Sequence, residues 1–212
     1  MKKPLFLILI TLFTLSAKLL GSATVSVVQG NPVYKNGDQL VPLEKGMKIE
    51  AGWTVTTVEN ELVLLNLSNG GSVVVYANSQ VTIQEEEEAN NVTKLKLQMP
   101  KGFAWSRLPK LKDTQAFEVE TSSHTAGIRG TAFSVDAKGN GVTQVCVCEG
   151  KVYVIDDDGN DSLLNTGELV KAASGEAMSP VGDRRFLKHP GTEHRSCIQC
   201  HHGGYSRFEL YR

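Results

Sequence analysis

The sequence predicts an all-β protein of many short strands, and two observations support this fold class. Between residues 24 and 171, apolar and polar residues alternate in short runs, and no stretch of ten residues shows a helical period. Clusters of Gly, Asn and Asp separate these runs and supply tight turns. We therefore expect roughly ten to thirteen strands, arranged as a sandwich, a barrel or a solenoid-like β-roll.

The individual runs are bounded by turn residues and follow one another along the chain. A run of four acidic residues, 85–88, interrupts the pattern and is interpreted as a solvated loop. The predicted strand segments are TVSVV (24–28), KIEAGWTVTTV (48–58), ELVLLNL (61–67), GSVVVYA (71–77), VTIQ (81–84), TKLKLQM (93–99), FEVET (117–121), TAFSVD (131–136), VTQVCVC (142–148) and KVYVI (151–155).

The N-terminal residues 1–23 have the pattern of a secretory signal peptide. Lys2 and Lys3 precede an apolar run over residues 4–15, and small residues at 21–23 supply a cleavage site. The apolar run is shorter than the roughly 20 residues that span a bilayer. We expect cleavage, with membrane attachment only if this segment stays uncleaved as an anchor. The pattern predicts a periplasmic or secreted bacterial protein.

The rest of the chain divides into a β domain and a tail. The domain covers residues 24–171, a turn-rich linker covers 172–188, and the tail covers 189–212 and is mostly irregular. The net charge of −1 and the lack of a basic stripe argue against a nucleic-acid partner. No Ser-His-Asp order or paired acidic site stands out, so we do not expect an enzyme.

The tail carries the most specific chemical motif, Cys197-Ile198-Gln199-Cys200-His201. Cys-x-x-Cys-His is typical of c-type haem attachment, in which the two thiols bind the haem covalently. The following imidazole is then a proximal iron ligand. The motif predicts one covalent haem c held by Cys197 and Cys200, with His201 on the iron.

The sixth iron ligand is less defined, and two alternatives to haem remain open. His189 and Met178 are candidate distal ligands because their tethers are long enough, and His124 could serve if the tail folds back onto the β domain. Alternatively, the two tail cysteines bind zinc or form a disulfide with each other.

A second cysteine pair, Cys146 and Cys148, lies in a predicted strand. At spacing i and i+2 both side chains point to one face. They act as small buried hydrophobic side chains, share a metal site with the tail cysteines, or form a disulfide in the oxidising compartment. A disulfide between the two would be strained, because their Cα separation is near the upper limit for a bridge.

The β portion resembles the FecR domain family. The most specific stretch is FEVET (117–121) followed by AGIRGTAFSV (126–135), in which Arg129 lies between two glycines. Such an arginine could bind a carboxylate or phosphate, or tie down backbone carbonyls. Supporting elements occur in the family's order: GWTVTT (52–57), LNL (65–67), GGSVVV (70–75), NSQV (78–81) and VCVCEGKV (145–152).

The resemblance implies a FecR-like β domain and adds a regulatory interpretation. The family's namesake has a cytoplasmic anti-sigma portion and a membrane helix before this domain, whereas here a signal peptide precedes it. Our main interpretation is an extracytoplasmic protein that uses haem c for electron transfer or redox sensing with a redox or envelope protein partner. One alternative is a non-redox binding or scaffold protein with a zinc or disulfide tail. The other is a FecR-type signal-transduction regulator that acts through a membrane partner.

Overall fold

A computed structural model of the chain describes residues 21–88, 92–128 and 130–182. These residues form seventeen strands and no helix, so the predicted all-β class is confirmed. The described ranges accordingly hold no helix long and apolar enough to cross a membrane. Strands outnumber the prediction because several contain only two to four residues, too few to show a period of two.

The strands are numbered in chain order. They are β1 (Gly21–Gln29), β2 (Val33–Asn36), β3 (Gln39–Pro42), β4 (Lys48–Glu50), β5 (Thr54–Thr56), β6 (Leu62–Leu67), β7 (Ser72–Val75), β8 (Gln80–Glu88), β9 (Val92–Arg107), β10 (Gln115–Glu120), β11 (His124–Ile128), β12 (Ala132–Ala137), β13 (Val142–Glu149), β14 (Lys151–Asp156), β15 (Asp161–Asn165), β16 (Glu168–Ala173) and β17 (Val181–Gly182).

The strands pair into two sheets that share one strand. Sheet A has the order β4-β1-β6-β7-β9-β12-β13-β16-β17. Sheet B has the order β3-β2-β5-β8-β9-β10-β11-β14-β15. Only β9 and β10 run parallel among these pairs of the described strands, so the pairing is mixed.

Strand β9 belongs to both sheets because it crosses between them at Gly102. Its first part pairs with β8 and β10 in sheet B, and Gly102 to Arg107 pair with β12 in sheet A. Gly102 has φ +113°, and a Cβ there would lie 2.2 to 2.4 Å from atoms of Ser79. Ser79 is fully buried, and its Oγ accepts a hydrogen bond from the backbone N–H of Phe103 at 2.9 Å. The crossing therefore requires glycine.

The main hydrophobic core contains residues from both sheets. Phe117 of sheet B and Phe133 of sheet A meet there with ring centroids 6.4 Å apart and nearly perpendicular planes. Both are essentially unexposed. Burial alternates along strands such as β10 and β14, as the period-two pattern predicted. The two sheets thus pack against each other across one core.

The acidic run that we expected to form a loop instead continues a strand. β8 extends through Glu88, and Glu86 forms ion pairs with Lys94 and Lys96 of the neighbouring β9. Lys96 also pairs with Glu120 at 3.1 Å, and this hydrogen bond raises the pKa of Lys96. Opposite charges on adjacent strands support pairing, so the loop interpretation was wrong.

We expect Gly102→Ala to destabilise the domain more than Gly46→Ala. Both positions have positive φ, which costs an Ala about 1–2 kcal/mol. Nothing lies within 4 Å of a Cβ at Gly46, whereas one at Gly102 overlaps Ser79. That overlap adds about 1–3 kcal/mol. Denaturant unfolding of both variants measures the difference, and equal losses of stability would contradict the proposed crossing constraint.

Candidate functional site

A cavity of about 480 Å³ lies at one end of sheet A. Four strand ends meet there: Ser72 starts β7, Arg107 ends β9, Ala132 starts β12 and Glu149 ends β13. These four residues are direct cross-strand neighbours, because Arg107 pairs with Ser72 and with Ala132, which in turn pairs with Glu149. The register of sheet A therefore builds the floor of the cavity.

Two glycines bring the surrounding loops close enough to close the cavity wall. Gly130 has φ +74°, and a Cβ there would lie 2.9 Å from the Cα of Lys110. Gly150 has φ +89°, and its Cβ would lie 3.0 Å from the carbonyl oxygen of Gly130. These close backbone approaches explain the glycines on physical grounds.

Thr131, next to Gly130, ties the same loops together by hydrogen bonds. Its carbonyl oxygen accepts from the backbone N–H of Leu108 at 2.9 Å. Its Oγ1 donates to the carbonyl oxygen of Lys151 at 3.1 Å. The stretch after residue 129 thus has a structural role at the cavity, while Arg129 itself lies outside the described residues.

The charged side chains on the cavity are suited to binding a carboxylate or another anionic group. Arg107 and Lys110 supply cations and Glu149 supplies one carboxylate, and all three are exposed. An arginine can bind a carboxylate through two parallel hydrogen bonds. In the described ranges, no group of three or more His, Cys, Asp and Glu side chains could hold a metal ion. Sequence reasoning missed these three residues because they become neighbours only through sheet pairing.

The outer face of sheet A, which points away from sheet B, carries a second apolar cluster beside the cavity. Trp105 lies in its centre, and directly paired neighbours place Val74 and Leu64 in the same row. The cluster consists of Leu62, Leu64, Val74, Trp105, Ala132 and Cys148, with Val27 and Tyr76 partly buried against it. All six central residues are at most 8% exposed. We call this surface the outer apolar face.

Cys146 and Cys148 have different bonding states. Val145, which precedes Cys146, and Val147, which lies between the two cysteines, belong to the main core. Both cysteine side chains therefore point to the opposite face of β13, on one side of the strand as predicted. Cys148 is disulfide-bonded, whereas the Cys146 thiol is not in a disulfide. The strained bridge between these two residues therefore does not form. A register shift opposite Ala132 places Cys148 at a β-bulge, which re-aims a side chain.

The haem-binding residues predicted from the sequence are mostly outside the described ranges. Cys197, Cys200, His201 and His189 fall there, as does most of the predicted signal peptide, and these assignments stay predictions. Met178 is described, and its side chain packs in the main core with 9% exposure. A methionine in that position would have to leave the core before it could bind iron.

His124, the second candidate iron ligand that the structure describes, is buried among hydroxyl groups. Its Nδ1 lies 2.8 Å from Ser123 Oγ, which lies 3.2 Å from Thr143 Oγ1. Burial lowers the pKa of His124, and the charges of Asp156 and Asp157 oppose this shift. The Asp156 carboxylate accepts hydrogen bonds from Asn160 within its own turn, and these lower the pKa of Asp156. The hydroxyl contacts of His124 thus link the start of β11 to Thr143 of β13.

The sequence comparison places the cavity within a recognised domain. Residues 53–153 match the family model described as FecR protein. All cavity-lining residues fall within this stretch, and so does Gly150, which packs against Gly130. The expected resemblance to the FecR family is therefore found over residues 53–153 of the β domain. A search of curated proteins finds no significant match.

Two solved structures share the fold. Both are crystal structures of a putative anti-sigma factor from Parabacteroides distasonis, at 17% identity and a TM-score of 0.52. One match covers 64% of this chain and 62% of the other, and the second covers 63% of each. At this identity the likeness concerns the fold alone, and the matched region spans less than two thirds of the solved chains.

We expect the folded state to lose stability as pH falls below 6.5 because of His124. Its pKa is below the ordinary value of 6.5, so the unfolded chain binds the proton more readily. The stabilising contribution is present above the unfolded pKa and is lost as pH falls through the folded pKa. Urea midpoints between about pH 8 and pH 5 measure this loss. His124→Asn, which retains a polar atom near Ser123, should show a shallower slope; an unchanged slope would contradict the assignment.

Proposed function

We propose that this chain is a FecR-type signal-transduction regulator whose β domain binds a protein partner outside the cytoplasm. The observation that carries this proposal is the cavity built by the FecR-like residues, with Arg107 and Lys110 at its rim. The fold likeness to a putative anti-sigma factor supports a regulatory role. The predicted signal peptide supports a location outside the cytoplasm.

The chemistry of the cavity favours recognition of a carboxylate-bearing partner. Arg107 and Lys110 are both exposed at the cavity, so a partner can pair a carboxylate with them there. Arg107 in particular can bind a carboxylate bidentately and thereby orient the partner.

Charge reversal at the cavity tests this function. We expect chromosomal Arg107→Glu/Lys110→Glu to reproduce the transcript changes of a deletion strain, because repulsion abolishes partner binding. Lys35→Glu/Lys45→Glu changes the net charge equally at exposed positions away from the cavity and should resemble wild type. Transcript sequencing measures the result, with immunoblots to match protein amounts. A deletion that changes no transcript level severalfold would rule out the regulator.

A second candidate function is favoured by the tail motif. We propose that Cys197 and Cys200 bind one haem c, with His201 as its proximal ligand and His189 as the candidate distal ligand. The haem would give the regulator electron transfer or redox sensing with a redox or envelope partner. The immediate Cys-x-x-Cys-His spacing and the predicted secretion support this proposal.

We expect covalent haem when the full chain is expressed with cytochrome c maturation machinery. A denaturing gel stained for haem peroxidase activity should show a band at the mass of the chain, since thioether bonds survive denaturation. Cys197→Ala/Cys200→Ala should abolish the stain, and Cys146→Ala, as control, should retain it. An unstained wild-type band would exclude haem attachment and leave the zinc or disulfide alternatives.

A further inference from the structure

Strand β15 is an open edge of sheet B. It pairs with β14 on one side, and in the described ranges no strand pairs with its other side. Natural edge strands are often very short or carry Lys or Pro, which discourages pairing with another chain. Among the described edge strands, β3 ends in Pro42, β4 starts with Lys48 and β17 has two residues, whereas β15 has five residues with neither Lys nor Pro. β15 thus lacks the protection of the other edges.

The register of the β14–β15 hairpin points the backbone of Leu163 towards this open edge. At the turn, the backbone N–H of Asp156 donates to the carbonyl oxygen of Asn160 at 2.9 Å, so these two residues form a hydrogen-bonded pair. Such pairs alternate along antiparallel strands. The next bonded pair is Val154 with Ser162, and Leu163 therefore directs its N–H and C=O away from β14.

The neighbouring Asn165 has the same backbone direction. Its N–H donates to the carboxylate of Glu168 at 2.7 Å instead of to a strand. Within the part of the chain that the structure describes, the N–H of Leu163 has no equivalent acceptor. An outward N–H and C=O on an edge strand can hydrogen-bond to an additional strand supplied by another protein.

The side chains on this edge offer an apolar contact. Leu163 is 50% exposed, and its direct cross-strand neighbour Tyr153 is 45% exposed on the same face of sheet B. The Tyr153 hydroxyl donates a hydrogen bond to the Asp161 carboxylate, which raises the pKa of Tyr153. An apolar side chain placed opposite Leu163 on an added strand would therefore also lie near the Tyr153 ring.

Negative charge is concentrated at the turn end of β15. Asp157 and Asp158 in the turn and Asp161 at the start of the strand are all exposed. Lys151 lies at the opposite end of the hairpin, where it pairs with Asn165. Opposite charges on adjacent strands support pairing, so the charges favour a partner strand with a cation at the position facing Asp161.

The same charges argue against a second copy of this chain as the occupant. Antiparallel pairing of two β15 strands about Leu163 would place Asp158 of one copy at the register position of Glu168 of the other. Like charges that face each other across strands are destabilising. A basic partner segment avoids this repulsion.

We propose that β15 takes up an extended segment of a partner protein as an additional strand of sheet B. The segment carries an apolar residue opposite Leu163 and a Lys or Arg two positions away, opposite Asp161, because residues two apart share one face of a strand. Backbone hydrogen bonds supply affinity and the two side chains supply specificity. The cavity lies in sheet A, so this docking edge is a separate site from the proposed carboxylate recognition.

Hydrogen exchange at one backbone amide tests the added strand. The probe is a seven-residue peptide, capped at both ends, with Val at its centre, Lys two positions to either side and Thr elsewhere. It places one Lys opposite Asp161 in either strand direction. In the ¹⁵N-labelled full chain, the N–H of Leu163 should exchange rapidly alone and at least severalfold more slowly with the peptide. A rate that the peptide leaves unchanged would overturn the proposal, as would slowing by protein concentration alone, which would indicate a second copy.

Two variants separate backbone pairing from charge. Leu163→Pro removes the outward N–H, which no described strand accepts, and should abolish peptide binding in calorimetric titrations. Leu40→Pro, at an exposed leucine on the opposite edge strand β3, is the matched control and should bind the peptide like wild type. Asp161→Asn should weaken binding severalfold, whereas Glu59→Gln at an exposed loop position should not.

Asp161→Asn leaves the backbone unchanged, so it decides the outcome if Leu163→Pro unfolds. Unchanged affinity in Asp161→Asn would contradict the proposal, and so would equal binding of a peptide in which Glu replaces both Lys residues. None of these measurements depends on a regulated transcript or on Arg107, so their failure is distinguishable from failure of the proposed function.

Discussion

The close approach of Gly102 to Ser79 is the constraint on which the two-sheet arrangement depends. Because a side chain at Gly102 would overlap Ser79, the strand can pass there only as glycine. Thr57 fixes the other side of the contact, since its Oγ1 accepts a hydrogen bond from the backbone N–H of Ser79 at 3.1 Å. One strand therefore serves both sheets, and Phe117 and Phe133 from different sheets meet in a single core.

The same crossing determines where the cavity lies. Once β9 has entered sheet A, its last residue, Arg107, is placed opposite Ser72 and Ala132. The chain then turns through Lys110, whose backbone packs on Gly130. The cationic rim is thus a consequence of strand register and two tight backbone contacts. A charged side chain at such a position has a small desolvation penalty, because it stays exposed while the backbone below it forms hydrogen bonds.

Sequence reasoning predicted the local pattern of this domain better than its long-range pairing. β10 and β14 were predictable because each buries alternate residues, which leaves a period of two. The acidic run was misjudged as a loop because the lysines that pair with Glu86 lie on a different strand, β9. Glu149 and Arg107 come close together only because each of them is the cross-strand neighbour of Ala132. Composition and residue spacing do not predict that register. A backbone position with positive φ, in contrast, is often occupied by glycine, which can be recognised in the sequence.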